Sequence, residues 1–228
     1  MAFTQNTQPT LTKQPQFYGC SLGQPLAWKQ LAVGGTSGTK ITSIIAASTD
    51  SATKIVSVAV ARQIPLTSIS NASPAVFTAT SAHGLVTQDV LFLTGTLGTG
   101  LVAWDNLTTG TTYNVIAAGL TATVFEVALG ATIQGGGTTA INTSGASSGT
   151  LVAYGVKVLG STLIAVTSGT DGSTASTNML SNITGLPVDA DGQPYIFLAS
   201  PNDALYVGNT VATTANKAIF VSAVGADF

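Results

Sequence analysis

The sequence predicts an all-β protein: a β-sandwich or jelly-roll-like host domain, a second small β domain inserted in one of its loops, and an extended N-terminal arm. Three observations lead there. Short runs rich in Val, Ile and Thr recur between Gly, Ser and Asp turn clusters, with almost no helical period. All seven basic residues (Lys13, Lys29, Lys40, Lys54, Arg62, Lys157 and Lys217) lie outside residues 64–152, where the only charges are Asp89, Asp105 and Glu126. Pro9, Pro15 and Pro25 punctuate the first thirty residues, and each biases its predecessor toward extended backbone. The expected organisation is an arm over 1–30, a discontinuous host over 31–63 and 153–228, and an inserted module over 64–152.

In chain order, Phe17, Tyr18 and Trp28 lie in or beside the arm. Aromatics on an extended arm suit either a neighbouring subunit or the parent domain, since the arm has little core of its own. Thr39–Ala47 and Lys54–Arg62 form the clearest strand pair, around a turn at Ser48-Thr49-Asp50-Ser51. Tyr154–Leu159 and Leu163–Val166 form a second pair around Gly160-Ser161. A third set covers Tyr195–Ala199, Ala204–Val207 and Lys217–Val224. Segments around Ala190 and Ala215 allow a helical turn at most. In the insert, Val76–Thr80, Val90–Thr94, Tyr113–Ala117 and Thr123–Ala128 read as four strands. Gly135-Gly136-Gly137 and Ser144–Gly149 read as a flexible return to the host. Removing the insert leaves about 140 residues, an ordinary size for one domain.

Charged residues make up only 7% of the chain and the net charge is −2, against roughly 25% charged in an ordinary soluble domain. Weak repulsion and a surface of hydroxyls and methyls suit a chain packed against copies of itself or a larger assembly. The same balance gives no basic footprint for nucleic acid and no polybasic membrane patch. No run reaches the roughly 18 apolar residues of a membrane span, and the N-terminus lacks a signal-peptide layout. A cytoplasmic site of synthesis is expected. Cys20 is alone, so neither an intrachain disulfide nor a cysteine-based zinc site is expected.

No catalytic constellation emerges. Gly145-Ala146-Ser147-Ser148-Gly149 fits G-x-S-x-G formally, but no helix follows and His83 lies upstream rather than downstream. Asp189-Ala190-Asp191-Gly192 opens like a calcium loop, yet Ser200 stands where the closing Glu belongs, so a tight Asp-Gly turn is expected. His83-Gly84 reads as a turn. Gly38-Thr39-Lys40 lacks phosphate-loop spacing. The chain is expected to be no enzyme and to need no metal or cofactor.

Host segments Lys40–Asp50, Gly185–Gly192 and Gly225-Ala226-Asp227-Phe228 resemble phage capsid decoration, or cement, proteins. The insert is similar to a module recurrent in phage tail-fibre proteins, with H-G-L-x-x-G-D-x-V-x-F, G-T-x-Y-x-V and T-x-F strands. The matching residues are His83-Gly84-Leu85 and Asp89, with Val90 and Phe92 one position short of the V-x-F placement; Gly110-Thr111, Tyr113 and Val115; and Thr123 and Phe125. Gln88 stands where that module carries Gly. These resemblances imply a virion structural protein on the capsid surface. It would bind the major capsid protein and itself as a homo-oligomer, with Phe17, Tyr18 and Trp28 as candidate interface residues. The alternative is a tail or fibre-associated adhesion protein that touches a host-surface ligand through Trp104, Asp105 and Asn106.

Overall fold

The structure, a computed structural model, describes residues 15–23, 28–101, 111–131, 135–145 and 147–228. It is all-β, with two antiparallel sheets packed together. Among the described residues the helical content is a single 3₁₀ turn at Leu180–Asn182. Ala190 and Ala215 lie in turns instead. The smaller sheet runs β1 (Gln16–Leu22), β13 (Ile219–Asp227), β3 (Thr39–Ser48), β10 (Thr177–Asn178), with β11 (Ile196–Leu198) also on β3. The larger sheet begins with β2 (Trp28–Val33), β12 (Asp203–Asn209) and β4 (Lys54–Ile69). It continues through β5 (Val76–Ala79), β8 (Val124–Leu129), β7 (Tyr113–Val115), β6 (Val90–Thr96) and β9 (Ser148–Ile164).

β9 then pairs with β4 from Lys54↔Ile164 to Leu66↔Leu151. The pairings β4–β5–β8–β7–β6–β9–β4 therefore close into a six-stranded antiparallel ring. Closure leaves these strands no bare hydrogen-bonding edge. At the other end of the molecule the same two strands belong to an open sandwich. β4 and β9 thus serve both halves, β4 running from sandwich to barrel and β9, antiparallel to it, from barrel to sandwich.

Period-two alternation explains which residues fill each half. On β4, Val56 and Val58 face the sandwich core beside Ile41, Ile44, Leu205, Val207, Ile219 and Val221. Ile64 and Leu66, on the same face further along, enter the barrel interior with Phe77, Leu91, Leu93, Val115, Phe125 and Val127. Phe77 and Phe125 lie opposite each other on β5 and β8 and stack at 5.2 Å. The intervening residues of β4, Ala59 and Ala61, face the other way into a third cluster with Trp28, Phe92, Val156 and Tyr206. There Phe92 stacks on Tyr154 at 4.8 Å and meets Tyr206 edge-on at 5.3 Å.

Several local expectations change in three dimensions. The turn at Ser48–Ser51 does not join a hairpin: β3 and β4 lie in different sheets, and the turn crosses between them. Gly160-Ser161 is no turn either, because β9 runs straight through it with a bulge opposite Val58/Ala59. Gly160 is needed there for close approach, since a Cβ would sit 3.0 Å from Ile183 Cγ1. β4 likewise continues past Arg62 through Pro65. The Pro65 carbonyl accepts the Thr80 amide at 3.0 Å, and a residue's N and O point to the same side of its strand. The missing N–H therefore falls on the β5 side and leaves the β9 ladder intact. Residues 16–22 and 28–30, expected in the arm, belong to strands β1 and β2 of the two sheets.

Candidate interaction surfaces

The acidic residues are held in place one at a time. Asp50 is fully buried in the crossover between the sheets. It accepts the N–H and hydroxyl of Thr214 at 2.7 and 2.8 Å and the Ala52 amide at 2.9 Å, with Lys54 Nζ 3.6 Å away. Burial alone would raise its pKa, but these donors win and hold it at about 2. Asp171 is pulled well below the usual carboxylate range, chiefly by the Thr174 amide and the Thr167 hydroxyl. Asp189 accepts the amides of Asp191 and Gln193 and the Lys40 ammonium, which makes the tight turn expected from Asp189–Gly192. Among the described residues no group of three His, Cys, Asp or Glu side chains could hold a metal ion.

The formal serine motif has no catalytic geometry among its described atoms. The Ser147 hydroxyl donates to the Ile69 carbonyl at 3.3 Å. His83 is occupied elsewhere: its Nδ1 accepts the Leu85 amide at 3.0 Å, and its ring stands edge-on to Phe125. The following turn ends with Asp89 accepting the Val86 amide through Oδ2. Gln88, in that turn, has φ of 73°, the left-handed backbone that a glycine adopts without strain.

A crevice of about 330 Å³ lies at the seam between barrel and sandwich, with Arg62, His83, Leu85, Lys157, Phe197 and Asp203 among its walls. Its charges are already matched. Arg62 Nε and Nη2 donate to Asp203 at 2.7 and 3.2 Å, and Lys157 lies 3.9 Å from Asp89. Asp203 also accepts the Ala199 amide, so the seam is a structural joint between β4, β11 and β12.

A different surface has no such internal matching. The outward face of the smaller sheet forms three rows across β1, β13 and β3: Phe17–Val224–Ser43, Gly19–Ser222–Ile45 and Ser21–Phe220–Ala47. No residue in the nine is charged. Phe17 is 80% exposed, Phe220 49% and Ile45 38%. An apolar groove runs between them, walled by Ile45, Ala47 and Phe220 over Gly19. On the first row beyond the face, Lys40 is held by Asp189 and lies over the Tyr195 ring, so it casts no bare charge onto the patch.

Of the three expected interface residues, Phe17 stands on this face and Tyr18 points the other way, against the sandwich core. Burial, then Asp227, raises the Tyr18 pKa. Trp28 is fully buried in the third cluster, so its indole presents no surface. Cys20 also packs against the sandwich core, and burial pushes its thiol up to about 11. Trp104, Asp105 and Asn106 lie outside the described residues. Ile45, Phe220 and Val224 complete the face and were not singled out by sequence. Their signal was in β13, where Phe220 and Val224 are apolar although Ile219, Val221 and Ala223 already fill the inward positions. Comparison with known protein families, curated proteins and solved structures finds no match to this chain.

Proposed function

We propose that the protein is a virion structural component, a decoration protein that binds the outer surface of a phage head and stabilises contacts between capsid subunits. The observation that carries this reading is the shared β4–β9 ribbon. It joins a sandwich with an uncharged, apolar outward face to a closed barrel through two continuous strands rather than a linker. That geometry suits an anchor that holds a second module at a fixed distance. The resemblance of the sandwich segments to decoration proteins, and of the barrel segments to a tail-fibre module, supports the same division. Bound in many copies, such a protein needs only modest contacts per copy, because each adds to the stability of the shell.

Quantitative mass spectrometry of purified virions tests the proposal. The expected result is a copy number comparable to that of the major capsid protein, with release of the protein lowering the temperature at which heads open. A handful of copies per particle, or none, rejects a decoration role. A small tail-associated copy number points instead to adhesion.

A further inference from the structure

We infer that the outward face of the β1–β13–β3 sheet is a self-association surface whose occupant is the same face of a second copy. The inference takes the many-copy decoration role as its setting, but its test needs no capsid, so the two can fail separately.

A two-fold contact sets each patch against itself, so any net charge in the patch meets its own like. The nine residues of the three rows carry no charge, the one electrostatic pattern that is complementary to itself without further pairing. The chain as a whole carries −2, too little to oppose association at ordinary ionic strength.

Shape follows the same rule. The face holds both a knob and a hole. Phe17 projects at one end of β1 with 80% of its surface exposed. Two residues along the same strand, Gly19 has no side chain, and the floor there opens into the groove walled by Ile45, Ala47 and Phe220. Gly19 is not there for backbone reasons: its φ is not in the left-handed region, and the nearest atom to an added Cβ is the Val221 carbonyl at 3.7 Å. What its missing side chain provides is depth in the groove. With knob and groove on one face, a two-fold seats the Phe17 of each copy in the groove of the other.

Size sets the strength. Three strands about 4.8 Å apart, with about 3.3 Å per residue along them, give a face of roughly 300 Å² per copy. A standard stable interface buries about 800 Å² per partner. The association is therefore weak and concentration-dependent in solution, and it becomes populated where copies are held close together.

Sedimentation equilibrium on the full chain over a wide concentration series provides the test. The wild type is expected to rise from 22.8 kDa toward twice that mass as concentration increases. Phe17→Glu and, separately, Ser222→Arg are expected to hold the monomer mass throughout, with unchanged thermal melting because both side chains point outward. Should Phe17→Glu fail to fold, Ser222→Arg decides alone. A wild type that stays monomeric at every concentration overturns the inference, as does self-association that both substitutions leave intact. A monomeric wild type whose capsid binding is lost in Phe17→Glu also overturns it, and assigns the face to a capsid protein.

Discussion

The sandwich and the barrel use the same two strands to opposite ends. In the barrel, six strands close on themselves, and the interior is filled by Phe77, Phe125, Leu91, Leu93 and Tyr113. In the sandwich, β1 and β2 remain terminal strands among the described residues, and the face over β13 is apolar on both sides. All of the described basic residues sit in the sandwich portion or on the shared strands; of the barrel's described carboxylates, Asp89 lies 3.9 Å from Lys157 at the seam and Glu126 is buried against Gly119. Closure solves the edge problem internally, whereas the open sandwich keeps terminal strands among the described residues. The contrast explains why one half of the molecule is self-sufficient and the other offers a surface.

Emptying the barrel has the largest expected effect. Phe77→Ala removes one ring of the stacked pair and is expected to cost about 3–5 kcal/mol in denaturant unfolding. Because Phe77 lies in the barrel cluster, distinct from the sandwich cluster and from the Trp28–Phe92 cluster between them, hydrogen exchange should accelerate in residues 76–129 while β12 and β13 keep their protection. Uniform acceleration across both halves would show that the ribbon makes them a single cooperative unit.

Asp50 probes the sandwich side. Its pKa, lowered from 3.8 to about 2, means that folding favours the ionised form. That stability is complete above the unfolded pKa and is lost as pH falls from about 4 through about 2. The shift corresponds to roughly 2 kcal/mol at neutral pH. Asp50→Asn should lower stability at pH 7 by about that amount and flatten the acid dependence between pH 4 and 2. An unaltered acid profile would assign the acid sensitivity to another carboxylate.

The smallest expected effect lies in the barrel, at the turn before β6. Gln88→Gly relieves a left-handed side-chain residue and is expected to stabilise by about 0.5–1 kcal/mol, after allowance for the added freedom of the unfolded chain. The gain should appear as a higher melting temperature. A loss of stability would mean that the Asn114 Nδ2 bond to Gln88 Oε1, at 3.4 Å, outweighs the backbone strain.

Much of the molecule was legible one strand at a time. Val76–Ala79, Val90–Thr96, Tyr113–Val115 and Val124–Leu129 announced themselves by β-branched and aromatic residues between Gly and Thr turns. So did the Asp189 turn, because an Asp-Gly pair specifies its own local hydrogen bonds. What escaped were the places where a residue's usual meaning is overridden by a neighbour distant in sequence. Pro65 looks like a strand end, but its missing donor points away from β9. Gly160 looks like a turn, but Ile183 occupies the space of its Cβ. Trp28 looks like an arm aromatic, but Phe92, Tyr154 and Tyr206 come together in the cluster that holds it.

By itself, then, the sequence determined the all-β class, the position of most strands and the near-absence of charge, since side-chain period, turn chemistry and composition are local properties. Tertiary structure decided that β4 and β9 run through both halves, that the insert's strands close into a ring, and that Phe17, Phe220 and Ile45 share a single face. Register across strands more than a hundred residues apart is set by which hydrophobic faces must be buried together, and no local pattern records that choice.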